Sequence, residues 1–225
     1  MDVEVGFANR NAHVGGARKF RAGKSLRGRV FDIVLSVFFL IVLAPLMIAI
    51  ALAIYLEDGG VVLFSQSRLG FAGEIFRCLK FRSMCVDAES RLEALLEASP
   101  GARRQWARDQ KLKADPRITR VGAFLRKYSL DELPQLINVL RGDMTLVGPR
   151  PIVPAEARRY GRRFRHYCAV RPGLTGLWQV NGRSDASYRA RVAMDVVYAR
   201  KRGPLLDLKI LIATIPAVLL SRGSY

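Results

Sequence analysis

The run Ile33–Leu56 carries no charged residue over 24 positions, and as a continuous helix it would be about 36 Å long, enough for the hydrocarbon core of a bilayer. A segment of that length and composition is a membrane element. It starts too deep in the chain for a cleavable leader, and no small-x-small pattern precedes the return of polar sequence. Pro45 lies near its middle, where it removes one backbone hydrogen bond and crowds the preceding turn. Both flanks are basic. Before the run stand Arg10, Arg18, Lys19, Arg21, Lys24, Arg27 and Arg29 against Asp2 and Glu4, and after it come thirty Lys/Arg against sixteen Asp/Glu. The tendency of positive flanks to stay on the cytoplasmic side puts both ends on one face of the membrane. The expected element is a re-entrant helix broken at Pro45. The competing arrangement is a kinked spanning helix with the basic arm outside.

This divides the chain into three parts: a Gly/Arg/Lys-rich arm at 1–29 without apolar periodicity, read as disordered; the membrane helix at 30–57; and a domain at 58–225, read as cytoplasmic and membrane-associated. A chain of 225 residues supports one packed domain rather than two. Its formal net charge of +18 calls for an anionic partner, which composition leaves open between nucleic acid, acidic lipid and phosphorylated substrate. Cys78, Cys85 and Cys168 are odd in number and lack paired ligand spacing, so reduced thiols are expected rather than zinc.

The fold class expected is α+β, mostly helical. Val61–Arg68 and Glu74–Phe81 read as a β-hairpin turning through Gly70 and Gly73. Asp87–Ala98 reads as a helix with Leu92, Leu95 and Leu96 on one face, followed by a solvated helix over Arg103–Lys113. Pro154–Val170 reads as an amphipathic interfacial helix with Tyr160, Phe164, Tyr167 and Cys168 along one face and five arginines around the others. Two further helices, Tyr188–Arg202 and Leu205–Leu220, complete the chain. The last is short for a span and is expected to lie at the interface or pack on the domain.

The stretch from Arg117 to Arg150 sets Asp131, Glu132 and Asp143 among Arg117, Arg120, Arg126, Lys127, Arg141 and Arg150. Adjacent carboxylates ringed by guanidinium groups suit a place where phosphate, metal and nucleophile meet. Pro134 is tolerable only in a first turn, so a helix is expected from near Asp131 to Arg141, with Gly142 as its stop. Ser129-x-x-Glu132 also fits a capping box, and Asp131 fits an N-cap, so spacing alone leaves a purely structural role open. Neighbouring residues on a helix point about 100° apart, so the two acids suit different tasks.

KFRSM (Lys80–Met84), DPRITRVGAFLRKYSLDELPQLINVLRGDMTLVGPRP (Asp115–Pro151) and RPGLTGLWQVNGR (Arg171–Arg183) together closely resemble the bacterial sugar transferases, the monotopic polyprenyl-phosphate phosphoglycosyl transferases. The resemblance extends from about Arg29 to the end and is closest to exopolysaccharide-initiating hexose-phosphate transferases of the succinoglycan type. It implies transfer of hexose 1-phosphate from a UDP-hexose, galactose first and glucose next, to undecaprenyl phosphate with release of UMP. It also implies the bacterial inner membrane, with the catalytic domain on the cytoplasmic face. On this chain the implied nucleophile is Asp131, which forms a covalent phosphosugar intermediate, and Glu132 helps hold Mg²⁺. Both roles suit a carboxylate facing a diphosphate whose charge is neutralised. Phosphate ligands are expected first at Arg150 of GPRP, then Arg126 and Lys80, then Arg117 and Arg82. Asp115 is expected to orient an arginine. Many relatives carry Ser before the mid-helix proline where this chain has Ala44, so the bend would rest on Pro45 alone. Anionic lipids are further expected partners, and the sequence leaves a homo-oligomer open. The rival reading is a membrane-tethered nucleic-acid-binding protein, but the chain holds no nucleic-acid motif, and that reading leaves the acid pair unexplained.

Overall fold

The structure, a computed structural model, describes residues 25–109, 112, 115–181 and 186–219. Most of the basic arm expected at 1–29 therefore lies outside the described residues, as does the end of the RPGLTGLWQVNGR stretch. The architecture is mostly helical, with two small sheets.

Helix α1 covers Leu26–Asp58, about 50 Å at 1.5 Å per residue. It begins at Ser25, whose hydroxyl accepts the Gly28 N–H, and ends at Gly59, a glycine at φ 69°. Pro45 lies inside it and helical backbone continues on both sides, so the break expected there is not one. A single proline costs one intrahelical bond and a local clash; here contacts at both ends hold the remaining turns. Toward the start, Arg29 donates to the carbonyls of Val139 (2.6 Å) and Leu140 (2.9 Å). Buried Asp32 accepts from the Thr145 hydroxyl (2.6 Å) and the Leu146 N–H (3.3 Å). Toward the end, Glu57 accepts the N–H groups of Arg120 and Val121, and Asp58 pairs with Arg82. Buried Ile50 and Ile54 pack with Phe81 and Leu125.

The expected hairpin is present as β1 (Leu63–Leu69) and β2 (Ile75–Phe81), antiparallel with Leu63 opposite Phe81 and Leu69 opposite Ile75. Helices α2 (Ala88–Ala98) and α3 (Pro100–Asp109) follow, then α4 (Arg120–Lys127), capped by the Thr119 hydroxyl. A 3₁₀ turn over Leu130–Glu132 leads to α5, Gln135–Arg141, stopped at Gly142 with φ 92°. Strand β3 (Thr145–Val147) pairs in parallel with β4 (Gly173–Thr175). Helices α6 (Ala157–Tyr160) and α7 (Phe164–Cys168) lie between these strands, and α8 (Leu177–Val180), α9 (Tyr188–Lys201) and α10 (Pro204–Leu219) come after.

The amphipathic helix expected over Pro154–Val170 is instead several short pieces turning at Gly161, where φ is 51°. Its aromatic face turns inward. Tyr160 and Tyr167 are buried with Leu69, Ile152 and Val192, and their hydroxyls explain why. Tyr160 donates to Asp195 (2.6 Å), while Tyr167 donates to the Leu69 carbonyl (2.6 Å) and accepts from the Ile152 N–H. Two phenols with satisfied hydroxyls gain more from the core than from an interface. The largest core cluster joins Cys78, Leu136, Val139, Met144, Leu146, Val147, Tyr198 and Ile210. Leu35, Phe39 and Leu40 of α1 pack on it, as do Leu206 and Leu211 of α10. The helix expected to end the chain therefore packs on the domain, yet it leaves Leu205, Leu208, Ile212 and Ile215 exposed.

Candidate functional site

The site is assembled where β2 meets the turn before α5. Asn138 on α5 is fully buried and binds β2 twice: its Oδ1 accepts the Leu79 N–H (2.9 Å) and its Nδ2 donates to the Arg77 carbonyl (2.8 Å). That junction brings Lys80 beside the acid pair. The Lys80 ammonium lies 2.7 Å from Glu132 and 3.6 Å from Asp131. Arg150 approaches Glu132 at 3.4 Å, with its side chain 39% exposed. Both cations meet the same Glu132 oxygen, Oε1.

The acids do not open a long helix, as the sequence led us to expect. Asp131 and Glu132 lie in a 3₁₀ turn, Pro134 occupies the N-cap position, and α5 has only 7 residues. Pro134 begins the helix instead of lying within its first turn, because its ring is least hindered there. Ser129 adopts a left-handed φ of 57° and its hydroxyl makes no cap bond, so the capping-box account fails. The acids are held by cations rather than by helix N–H groups.

Their ionisation is split. Burial alone would raise Glu132, but Lys80, Arg150 and Arg68 outweigh it and bring its pKa down to about 2. Asp131 moves the other way: burial raises it, Glu132 adds to the rise, and the cations Lys80, Arg126 and Arg150 only partly offset this. One carboxylate is thus a fixed anion, and its neighbour is a more basic group next to the same ammonium.

Beside Glu132 opens a small cleft. The cations Arg68, Lys80 and Arg150 line it together with Glu132 and with uncharged residues that include Gln135, Gly173, Leu174 and Gln179. Arg68 was not anticipated. It sits in β1, where strand alternation gave no functional signal, and it donates to the carbonyl of Pro151 (3.2 Å) and to Gln66 (2.6 Å). Burial and the nearby Arg150 lower its pKa.

The other expected phosphate ligands are elsewhere engaged. Arg126 is half-buried near Asp131, and its Nε donates to Ser83 (2.9 Å). Arg117 forms a two-pronged pair with Asp115 (2.8 and 2.7 Å) over the Trp106 ring, so Asp115 does orient an arginine. Arg82 joins Asp58 and the Gly59 carbonyl at the end of α1, a tie between α1 and the hairpin. None of the three lines the cleft.

Mg²⁺ accepts one or two carboxylates and takes its other oxygens from water and substrate phosphate. The hard donor set of Glu132 and Asp131 fits that habit, with Glu132 ionised and its two cationic neighbours on a single oxygen. Among the described residues no three His, Cys, Asp or Glu gather into an all-protein cage.

Comparison with known proteins completes the picture. The family described as bacterial sugar transferase matches residues 23–221. The chain is 46% identical over 197 residues to the exopolysaccharide production protein ExoY of Sinorhizobium fredii, covering 88% of this chain and 87% of that one. It is 49% identical to the undecaprenyl-phosphate galactose phosphotransferase of Salmonella typhimurium, over 88% of this chain and 41% of that longer protein. It is also 41% identical to the UDP-glucose:undecaprenyl-phosphate glucose-1-phosphate transferase of Caulobacter vibrioides, over 91% of this chain and 74% of that one.

Proposed function

The chain belongs to the bacterial sugar transferase family, and from that premise we propose that it moves hexose 1-phosphate from a UDP-hexose to undecaprenyl phosphate, the first step of building an exopolysaccharide repeat. Galactose is the first choice of sugar and glucose the second; relatives named for each are similar to this chain. The observation that carries the reading is Lys80 held between Asp131 and Glu132 at the edge of a cleft with two more cations. The diphosphate of the donor lies along Lys80, Arg150 and Arg68, which offset its charge and orient it.

Asp131 attacks the β-phosphorus. A carboxylate–phosphorus bond forms, the bond from that phosphorus to the bridging oxygen breaks, and UMP leaves with the electron pair. The phosphate of the lipid then attacks the same phosphorus, giving the lipid-diphosphate sugar and freeing Asp131. The raised pKa of Asp131 fits its role, since a more basic carboxylate is a stronger nucleophile once ionised. Glu132 is the residue that would help hold Mg²⁺, which when bound would neutralise diphosphate charge.

Membrane placement follows from α1. Both of its ends are fastened to one body, through Arg29 and Asp32 on one side and Glu57 and Asp58 on the other. A helix crossing the bilayer would carry one end away from that body, which supports a reading in which α1 bends at Pro45 without losing its helical backbone, dips into one leaflet and keeps both flanks cytoplasmic. Its outward residues, among them Phe38, Ile41 and Ile48, are exposed and face lipid. Residues 58–225 form the catalytic domain on the cytoplasmic face of the inner membrane, where a basic surface suits anionic headgroups.

The test uses purified protein with a UDP-hexose and Mg²⁺ but no lipid. One equivalent of UMP per active site and a phosphosugar adduct on Asp131 are expected. UMP release only when lipid is present, with no adduct, would overturn the two-step scheme.

A further inference from the structure

The wall of the cleft contains an acceptor without a donor. Gln179 lines the cleft and its Nε2 donates to the Leu174 carbonyl (3.2 Å), which fixes the orientation of the amide. Its Oε1 is buried and, among the described residues, receives no hydrogen bond. An orphaned amide oxygen in a polar wall is costly unless something donates to it. The backbone beneath is shaped to hold it there. A Cβ on Gly176 would come within 2.9 Å of that oxygen and 2.2 Å of the Gly148 carbonyl. Gly148 opens the turn Gly148–Pro149–Arg150–Pro151, so the segment carrying Gln179 is seated directly on the one carrying Arg150.

We propose, building on the UDP-hexose reading above, that Gln179 Oε1 accepts a hydrogen bond from one hydroxyl of the transferred hexose and so helps determine which sugar is used. The placement favours the sugar over the base. The acceptor shares one small cleft with Arg150, Lys80 and Glu132, and the group next to a phosphate bound there is the hexose. The described wall consists of amides, backbone and aliphatic carbon, with no aromatic ring for a uracil to stack on. Hydroxyl recognition by a buried acceptor is also the kind of contact that discriminates strongly, because the analogue lacking the hydroxyl leaves the acceptor unpaired.

The test compares UDP-galactose, UDP-glucose and donors deoxygenated at one hydroxyl at a time, for the wild-type protein and Gln179→Met, a side chain of similar length without the acceptor. In the wild type one deoxy donor should lose about tenfold or more in kcat/KM. In Gln179→Met the parent donor should fall toward that analogue and the difference between them should vanish, with affinity for UDP alone unchanged. Equal discrimination in both proteins overturns the proposal, as does a uniform loss across all donors or weakened UDP binding. If the wild type prefers no hydroxyl, the proposal fails without reference to the variant's folding. A wild type that releases UMP from no UDP-hexose refutes the parent reading instead.

Discussion

Lys80 serves two neighbours at once, and its position decides how the pair behaves. At 2.7 Å it keeps Glu132 ionised, and at 3.6 Å it only moderates the rise that burial imposes on Asp131. Replacing Asp131 with Asn should therefore lower turnover about a thousandfold or more while leaving the fold intact, measured as UMP release with circular dichroism as control. In Lys80→Met the cation that holds both acids down is gone. Asp131 then ionises at higher pH, and the acidic limb of the kcat/KM profile should move to higher pH. A profile that keeps its position would show that Asp131 does not govern that limb. The two acids were readable as a charged anomaly with specific sequence around it. Their division of labour was not, because it depends on Arg150 and Arg68 reaching Glu132 from distant segments. Arg68 had no visible signal: it lies in a strand whose partner residues say nothing of what crosses its end.

Among the elements, the hairpin and helices α2, α9 and α10 were legible because each is a continuous run with its own period and stop. The start of α5 was misplaced by the width of a 3₁₀ turn, since the same Pro134 suits a first turn or an N-cap. The segment around Tyr160 misled for another reason. Periodicity shows that aromatics share a face, but not whether that face meets lipid or the core; the hydroxyl partners Asp195 and Leu69, far along the chain, decide it. The same limit applies to α1, whose apolar run located the helix but gave neither its full length nor the contacts at its ends. Ile54 is only 3% exposed against Phe81 and Leu125. Ile54→Ala should cost about 2–4 kcal/mol in denaturant unfolding of the micelle-bound protein, whereas truncating exposed Ile48 on the same helix should cost little.

At the scale of the whole molecule, burial also writes a pH dependence. Asp195 is buried, accepts one hydrogen bond from Tyr160 and has its pKa pushed up to about 7. Its folded pKa exceeds its unfolded one, so the stability it contributes is complete in acid and is lost as pH rises from about 4 through 7. Thermal unfolding followed across that window should show a decline that Asp195→Asn removes. The outward face of α1 supplies a second test. Lysines at Phe38 and Ile41 should shift the protein from the membrane pellet toward the supernatant after cell fractionation, without moving Lys80 or the acids. A protein that stays in the pellet would mean that another surface carries the attachment.

The fastening of α1 also bears on how the protein is handled. Asp32 fills hydrogen bonds of Thr145 and Leu146, and Ile50 and Ile54 complete the packing around Phe81. Cutting the chain after Asp58 to obtain a water-soluble fragment would strip those groups from the interior and leave buried N–H and hydroxyl donors stranded. Helix α1 is thus a structural part of the body that carries the acid pair, and a fragment beginning after Asp58 should unfold more readily than the chain that keeps it, as thermal unfolding of the two would show.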